Sequence, residues 1–163
     1  MIRAEKGTPN QNAVRTLLLG VSSALIILVG IDPALKLYDE HIRPRPWLTA
    51  DIEIQPRREG DPPDIVYAVH APSYVVGDWK AWVETRVAPD FWLRGRGGSG
   101  NGTYGPRTAM PRSWGWSAFF EADVPVPAQT YRVCVSYDVN TARGVPADFG
   151  PYCSELHDPR MTK

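Results

Sequence analysis

The residues best suited to chemistry fall between Phe91 and Trp116, a window without a single acidic side chain. It carries Trp92, Arg94, Arg96, Tyr104, Arg107, Arg112 and Trp114. A guanidinium presents a planar fork of donors that matches a carboxylate or phosphate, and it stacks on aromatic rings. Tryptophan, tyrosine and arginine are also the side chains that most often anchor interfaces. These seven residues are the candidate partner-binding loop, directed at an anionic envelope component or at the acidic face of a protein. The intervening glycines let backbone amides approach a ligand and leave the segment mobile. The competing reading is an insertion whose arginines keep it hydrated.

Elsewhere the residue types are present but the spacing is not. The three histidines are His41, His70 and His157, and none has a serine or cysteine placed as a nucleophile beside it. The pairs Asp51/Glu53 and Glu121/Asp123 lie two residues apart, as on one solvated face of a strand. The run Arg94–Gly100 contains a dinucleotide-type glycine pattern, but Pro106 and Pro111 block the helix that would hold a phosphate. Asn101-Gly102-Thr103 is a glycosylation sequon, meaningful only on a eukaryotic secretory route. No catalytic set, metal site or cofactor is expected. With equal numbers of acidic and basic residues there is no basic footprint for nucleic acid either.

Two cysteines, Cys134 and Cys153, lie far downstream with eighteen residues between them. An even, low count in an exported segment reads as one disulfide, whose closure would stabilise the fold by about 3 kcal/mol. Two buried free thiols are the alternative. A metal site would need ligands at closer spacing.

The stretch Thr16–Ile31 bears on location. Its sixteen residues carry no charge. As a helix it would cover about 24 Å of a hydrocarbon core roughly 30 Å thick, and flanking Ala13, Val14, Leu35 and Leu37 lengthen it. The rival is a cleaved signal peptide. Cleavage after Ala24 would leave an apolar mature terminus, and cleavage after Ala34 would put Asp32 where a small residue is wanted. An uncleaved signal anchor is therefore expected. Three basic residues precede it and three soon follow (Lys36, Arg43, Arg45), a tie. The free amino terminus and short tail favour a cytoplasmic N-terminus.

The organisation expected is a cytoplasmic tail over 1–12, a transmembrane signal anchor over 13–37, a proline-rich stalk over 38–48 and an extracytoplasmic β-sandwich domain over 49–163. Within the last, Asp51–Gln55 alternates polar and apolar. Ile65, Tyr67, Val69 and Ala71 share one face of a second strand. Trp79, Ala81, Val83, Thr85 and Val87 share a face of a third, with Lys80, Trp82, Glu84 and Arg86 opposite. Asp90–Leu93 makes a short fourth, and Arg94–Arg112 is too glycine-rich for a regular element. Trp114, Trp116, Ala118, Phe120, Ala122 and Val124 alternate as another strand. Tyr131, Val133, Val135, Tyr137 and Val139 follow on the next, and a turn over Asn140–Gly150 leads to a last strand near Tyr152–Leu156. Short strands separated by turn signals define a mainly β chain, an antiparallel sandwich.

The segment Val124–Asn140, VPVPAQTYRVCVSYDVN, with Gly144 after it, resembles the E-to-F junction of fibronectin type III modules. An apolar residue, a proline-containing corner and a tyrosine precede a strand of alternating valines. The resemblance implies an immunoglobulin/fibronectin type III-like sandwich with Ile65–Ala71 and Trp79–Val87 as strands B and C, and a docking or adhesion role. The chain departs from the family in lacking a tryptophan in the B position, in the Arg94–Arg112 insertion, and in a bridge between the last two strands.

The expected role is a single-pass protein of the cell (inner) membrane, its domain periplasmic or extracellular, docking a partner or serving as a structural piece of a larger complex. A small membrane-active accessory, such as a phage-encoded lysis or exclusion protein, and an enzyme of unknown type are the alternatives. The sequence is silent on oligomeric state.

Overall fold

The computed structural model describes residues 9–58, 60–121 and 124–160, excepting the side chains of 9–15 and 23–28. The chain forms two compact units, Met1–Arg43 and Pro44–Lys163.

The first unit is helix α1, Pro9–Leu37, running into a π-helical turn over Tyr38–Ile42. Three successive leucines, Leu17, Leu18 and Leu19, are 70%, 60% and 66% exposed, and Val21, Val29 and Ile31 are exposed as well. Successive helical residues point about 100° apart, so this stretch has no polar face. Among the described residues no helix is long and apolar enough to cross a membrane. The anchor expected over 13–37 is thus helical but not established as membrane-spanning, and its centre, 23–28, lies outside the described side chains.

The second unit contains β1 (Thr49–Gln55), β2 (Asp64–His70), β3 (Val75–Ala88), β4 (Phe91–Tyr104), β5 (Arg112–Gly115), the single-turn α2 (Trp116–Phe119), β6 (Tyr131–Thr141) and β7 (Pro146–Cys153). They form two antiparallel sheets, β1-β2-β5 and β4-β3-β6-β7. The expected mainly β, antiparallel two-sheet architecture is present. One face of each sheet supplies the core, with Ile65, Val69, Val83, Tyr131, Val133, Val135 and Val139 all nearly inaccessible. Period-two alternation specifies these strands because a one-residue slip would expose every one of these side chains.

Cys134 and Cys153 are directly paired across β6 and β7 and form a disulfide. On the outer face of the same sheet Asp78, Asp138 and Asp148 stand abreast on three neighbouring strands.

The structure corrects the sequence reading in four places. The stalk expected over 38–48 is not one spacer: 38–42 form the π-helical turn, whereas Trp47 and Leu48 are fully buried in the sandwich. The Trp47 ring lies 5.8 Å from that of Phe149, and the Tyr152 hydroxyl donates to the Leu48 carbonyl at 2.6 Å.

Second, Arg94–Tyr104 is not irregular. It continues β4 and stays paired with β3, with register shifts at Trp82/Glu84 and Arg86/Ala88. Glycine weakens a strand in isolation, but here it makes room. A β-carbon on Gly98 would collide with the Phe119 carbonyl oxygen, and one on Gly100 would sit 2.8 Å from the Trp79 indole nitrogen.

Third, Trp114–Val124 is not one strand. β5 ends at Gly115 and α2 follows. Trp116, Phe119 and Phe120 are each 4% exposed while Ser117 and Ala118 face solvent. Positions i, i+3 and i+4 meet on one helical face, and the Trp116 indole donates to the Val124 carbonyl at 2.8 Å. Ala122 and Asp123 lie outside the described residues.

Fourth, the turn expected over Asn140–Gly150 is confined to the residues between Thr141 and Pro146. Gly144 adopts φ +73° there, and the Thr141 amide donates to the Val145 carbonyl at 3.0 Å. β7 accordingly ends at Cys153 rather than Leu156, and Ser154 closes its end by exchanging hydrogen bonds with Val133.

Candidate functional site

The seven residues singled out by composition separate into two places, because β4 alternates. Trp92 and Arg94 lie on the outer face of the four-stranded sheet. Tyr104, Arg112 and Trp114 line a cleft where the two sheets open beside α2. Arg107 is exposed on the turn after β4, and Arg96 is exposed on the strand itself.

The outer face is a ladder of rings and guanidiniums. Register places Glu84 opposite both Arg94 and Arg132, and Arg86 opposite Trp92. The Arg94 guanidinium sits 3.6 Å from the Trp82 ring centroid, that of Arg132 sits 4.4 Å from Trp92, and that of Arg86 6.0 Å. Cation–π contacts of this kind contribute about 0.5–1 kcal/mol each when exposed. Glu84 ties the ladder together. It accepts from the Trp82 indole at 2.8 Å and from Arg132 at 2.9 Å and 2.7 Å. Burial alone would push the Glu84 carboxyl up. The Trp82 and Arg132 hydrogen bonds and the Arg132 and Arg94 charges outweigh it and hold the group below the ordinary carboxylate value. Three cations on this ladder face one carboxylate, so it remains net positive.

The cleft has a volume of about 280 Å³. Its walls are aromatic: Tyr67 lies 6.2 Å from Trp114 and 5.5 Å from Phe119, and Trp79 stacks on Phe119 at 5.4 Å and 23°. Polar groups enter from Asn101, Thr103, Thr108 and Arg112, and no carboxylate contributes to the wall. Arg112 stands opposite Tyr67 across the β2–β5 ladder, and among the described residues it makes no ion pair. Burial raises the Tyr67 phenol, with the Arg112 charge opposing.

Trp79, Tyr67, Phe119, Trp82, Glu84 and Arg132 were not among the expected site residues. The signal for the outer three was present in the strand alternation, which puts Trp82 and Glu84 on the non-core side of β3. Joining them to Arg132 needs the β3–β6 register. The glycine run, read as a dinucleotide pattern, lies within β4 and opens no helix.

The remaining chemistry is dispersed. His70 shares a 2.9 Å hydrogen bond with Asp51 across β1 and β2, and the His157 ring packs on Tyr131 at 5.2 Å. The single grouping of potential metal ligands among the described residues is Glu84 with Cys134 and Cys153, whose sulfurs are joined to each other. The sequence matches no protein-family model and no curated protein.

Proposed function

We propose that this chain is a single-pass, membrane-anchored envelope protein whose extracytoplasmic β-sandwich docks a partner within a larger complex. The observation that carries this reading is the uncharged stretch Thr16–Ile31 in α1, with three consecutive exposed leucines and no polar face. An apolar cylinder of this kind lowers its free energy in lipid, where a helix satisfies its own backbone. The disulfide supports placing the second unit in an oxidising compartment, with the N-terminus cytoplasmic.

The sandwich is read as fibronectin type III-like. With β2 and β3 as strands B and C and β6 as F, B lies between the first strand and E, and C, F and G are consecutive neighbours. That order supports the reading. The net-positive ladder of Trp82, Trp92, Arg86, Arg94 and Arg132 is the docking face, suited to an acidic protein surface or an anionic envelope component.

Carbonate extraction of membranes tests the anchor. Full-length protein is expected to stay in the membrane pellet, and a soluble species shortened at Ala24 or Ala34 would overturn it. Exchange of Thr16–Ile31 for an unrelated anchor should leave a docking role intact, whereas a membrane-active accessory would lose function.

A further inference from the structure

The geometry points to a second, independent site: the cleft between the sheets binds one acidic sugar unit of a glycan. Its volume of about 280 Å³ is just below the roughly 300–1,000 Å³ of pockets that enclose drug-sized ligands, so it admits a single ring-sized group. A pyranose has C–H faces and a rim of hydroxyls. The cleft offers the complement of both. Tyr67, Trp79 and Trp114 supply ring surfaces for the C–H faces, and weak C–H contacts to such surfaces are individually small but directional. Asn101 brings an amide that both donates and accepts, and Thr103 a hydroxyl, matching sugar hydroxyls at the rim.

The charge pattern narrows the class. Arg112 is the one ionic group among the lining residues, and it lacks a carboxylate partner among the described residues. Its fork suits a ligand carboxylate held in two parallel hydrogen bonds. The glycines of β4 are part of the construction. Gly100 keeps the strand close against Trp79, and a β-carbon on Gly102 would meet the Tyr104 hydroxyl at 3.1 Å. The inner side of β4 is thus held open by residues that a bulkier strand would fill. The ladder on the outer face takes no part, so this site stands or falls apart from the docking role.

The test is titration of the full chain in detergent micelles, read by tryptophan emission and calorimetry. The probes are a glucuronic acid-terminated disaccharide, its glucose-terminated analogue and an acidic tyrosine-containing hexapeptide. Saturable binding of the acidic disaccharide is expected, with the neutral analogue about tenfold weaker, the scale of one charge-assisted pair. Arg112→Gln is expected to bring the two disaccharides within about twofold of each other at an unchanged melting temperature, since Arg112 is exposed. Trp114→Ala should weaken both sugars, and Trp114→Phe should restore much of the loss if the ring surface is what matters. Equal affinity of wild-type protein for both disaccharides, no binding at millimolar concentration, or tighter binding of the hexapeptide would each overturn the assignment.

Discussion

The guanidinium of Arg94 covers the indole of Trp82, 3.6 Å from its centroid, and leaves that ring only 5% exposed on a sheet face turned to solvent. The arginine acts as a lid through its stem as much as through its charge. Arg94→Ala should lower stability by about 1 kcal/mol and shift tryptophan emission to longer wavelength. A urea titration followed by fluorescence checks both. An unchanged midpoint and spectrum would show that Trp82 does not depend on this cover.

Glu84 gives the ladder a pH dependence. Its carboxyl is held below the usual value of 4.5 in the folded chain, so the folded state binds fewer protons than the unfolded one as pH falls. The stabilisation is complete above about pH 4.5 and is lost progressively below it. The slope of unfolding free energy against pH should therefore flatten in Glu84→Gln over the range just below that value. Identical slopes in the two proteins would contradict the linkage.

The bridge between β6 and β7 closes a loop of moderate length, for which loss of closure costs about 2–5 kcal/mol in small secreted domains. Cys134→Ser is expected to fall in that range by denaturant titration. Alkylation of native protein should modify neither thiol until a reductant is added.

Two glycines of β4 should behave oppositely. Gly98→Ala would drive a methyl into the Phe119 carbonyl oxygen, a backbone atom that cannot turn aside, at a cost of about 1–3 kcal/mol. Gly95→Ala meets only the Val83 carbonyl oxygen at 3.5 Å and should change stability by no more than about 0.5 kcal/mol. Similar midpoints for the two variants would remove the steric account of the glycine run.

The three aspartates abreast repel one another, and like charges opposite one another on paired strands cost a few tenths to about 1 kcal/mol. Asp138→Asn, at the centre, should raise the melting temperature at low ionic strength and lose that advantage as salt is added. A salt-independent gain would point to a cause other than repulsion.

The sandwich was legible where one face of a strand is buried and the other is wet. β1, β2 and β6 follow their alternation, and the core positions Tyr131, Val133 and Val135 could be read from it. The cysteine pairing was legible as well, since two cysteines on adjacent terminal strands have one partner each. β4 was not legible, because a glycine states nothing about what lies over it. Only the tertiary approach of Phe119 and Trp79 explains why the strand needs them. Trp116 and Phe120 fit a strand with Ala118 between them and fit a helical turn with Phe119 beside them. The burial of Phe119 decides for the turn, and that depends on Tyr67 and Trp79. The candidate loop was legible as composition and not as geometry, since alternation sends half of it to each side of a sheet.

The burial of Trp47 and Leu48 has a mechanical consequence. β1 is an edge strand, and tension applied to it from its N-terminal end would open its bonds to β2 one pair at a time, starting at Thr49 and His70. Before that can begin, the pull must extract an indole packed on Phe149 and break the clasp from Tyr152 to the Leu48 carbonyl. Both partners belong to β7, which the disulfide joins covalently to β6, itself hydrogen-bonded to β3. A load arriving along the chain from residue 44 is thereby shared into the four-stranded sheet instead of being concentrated on the first rung of the three-stranded one.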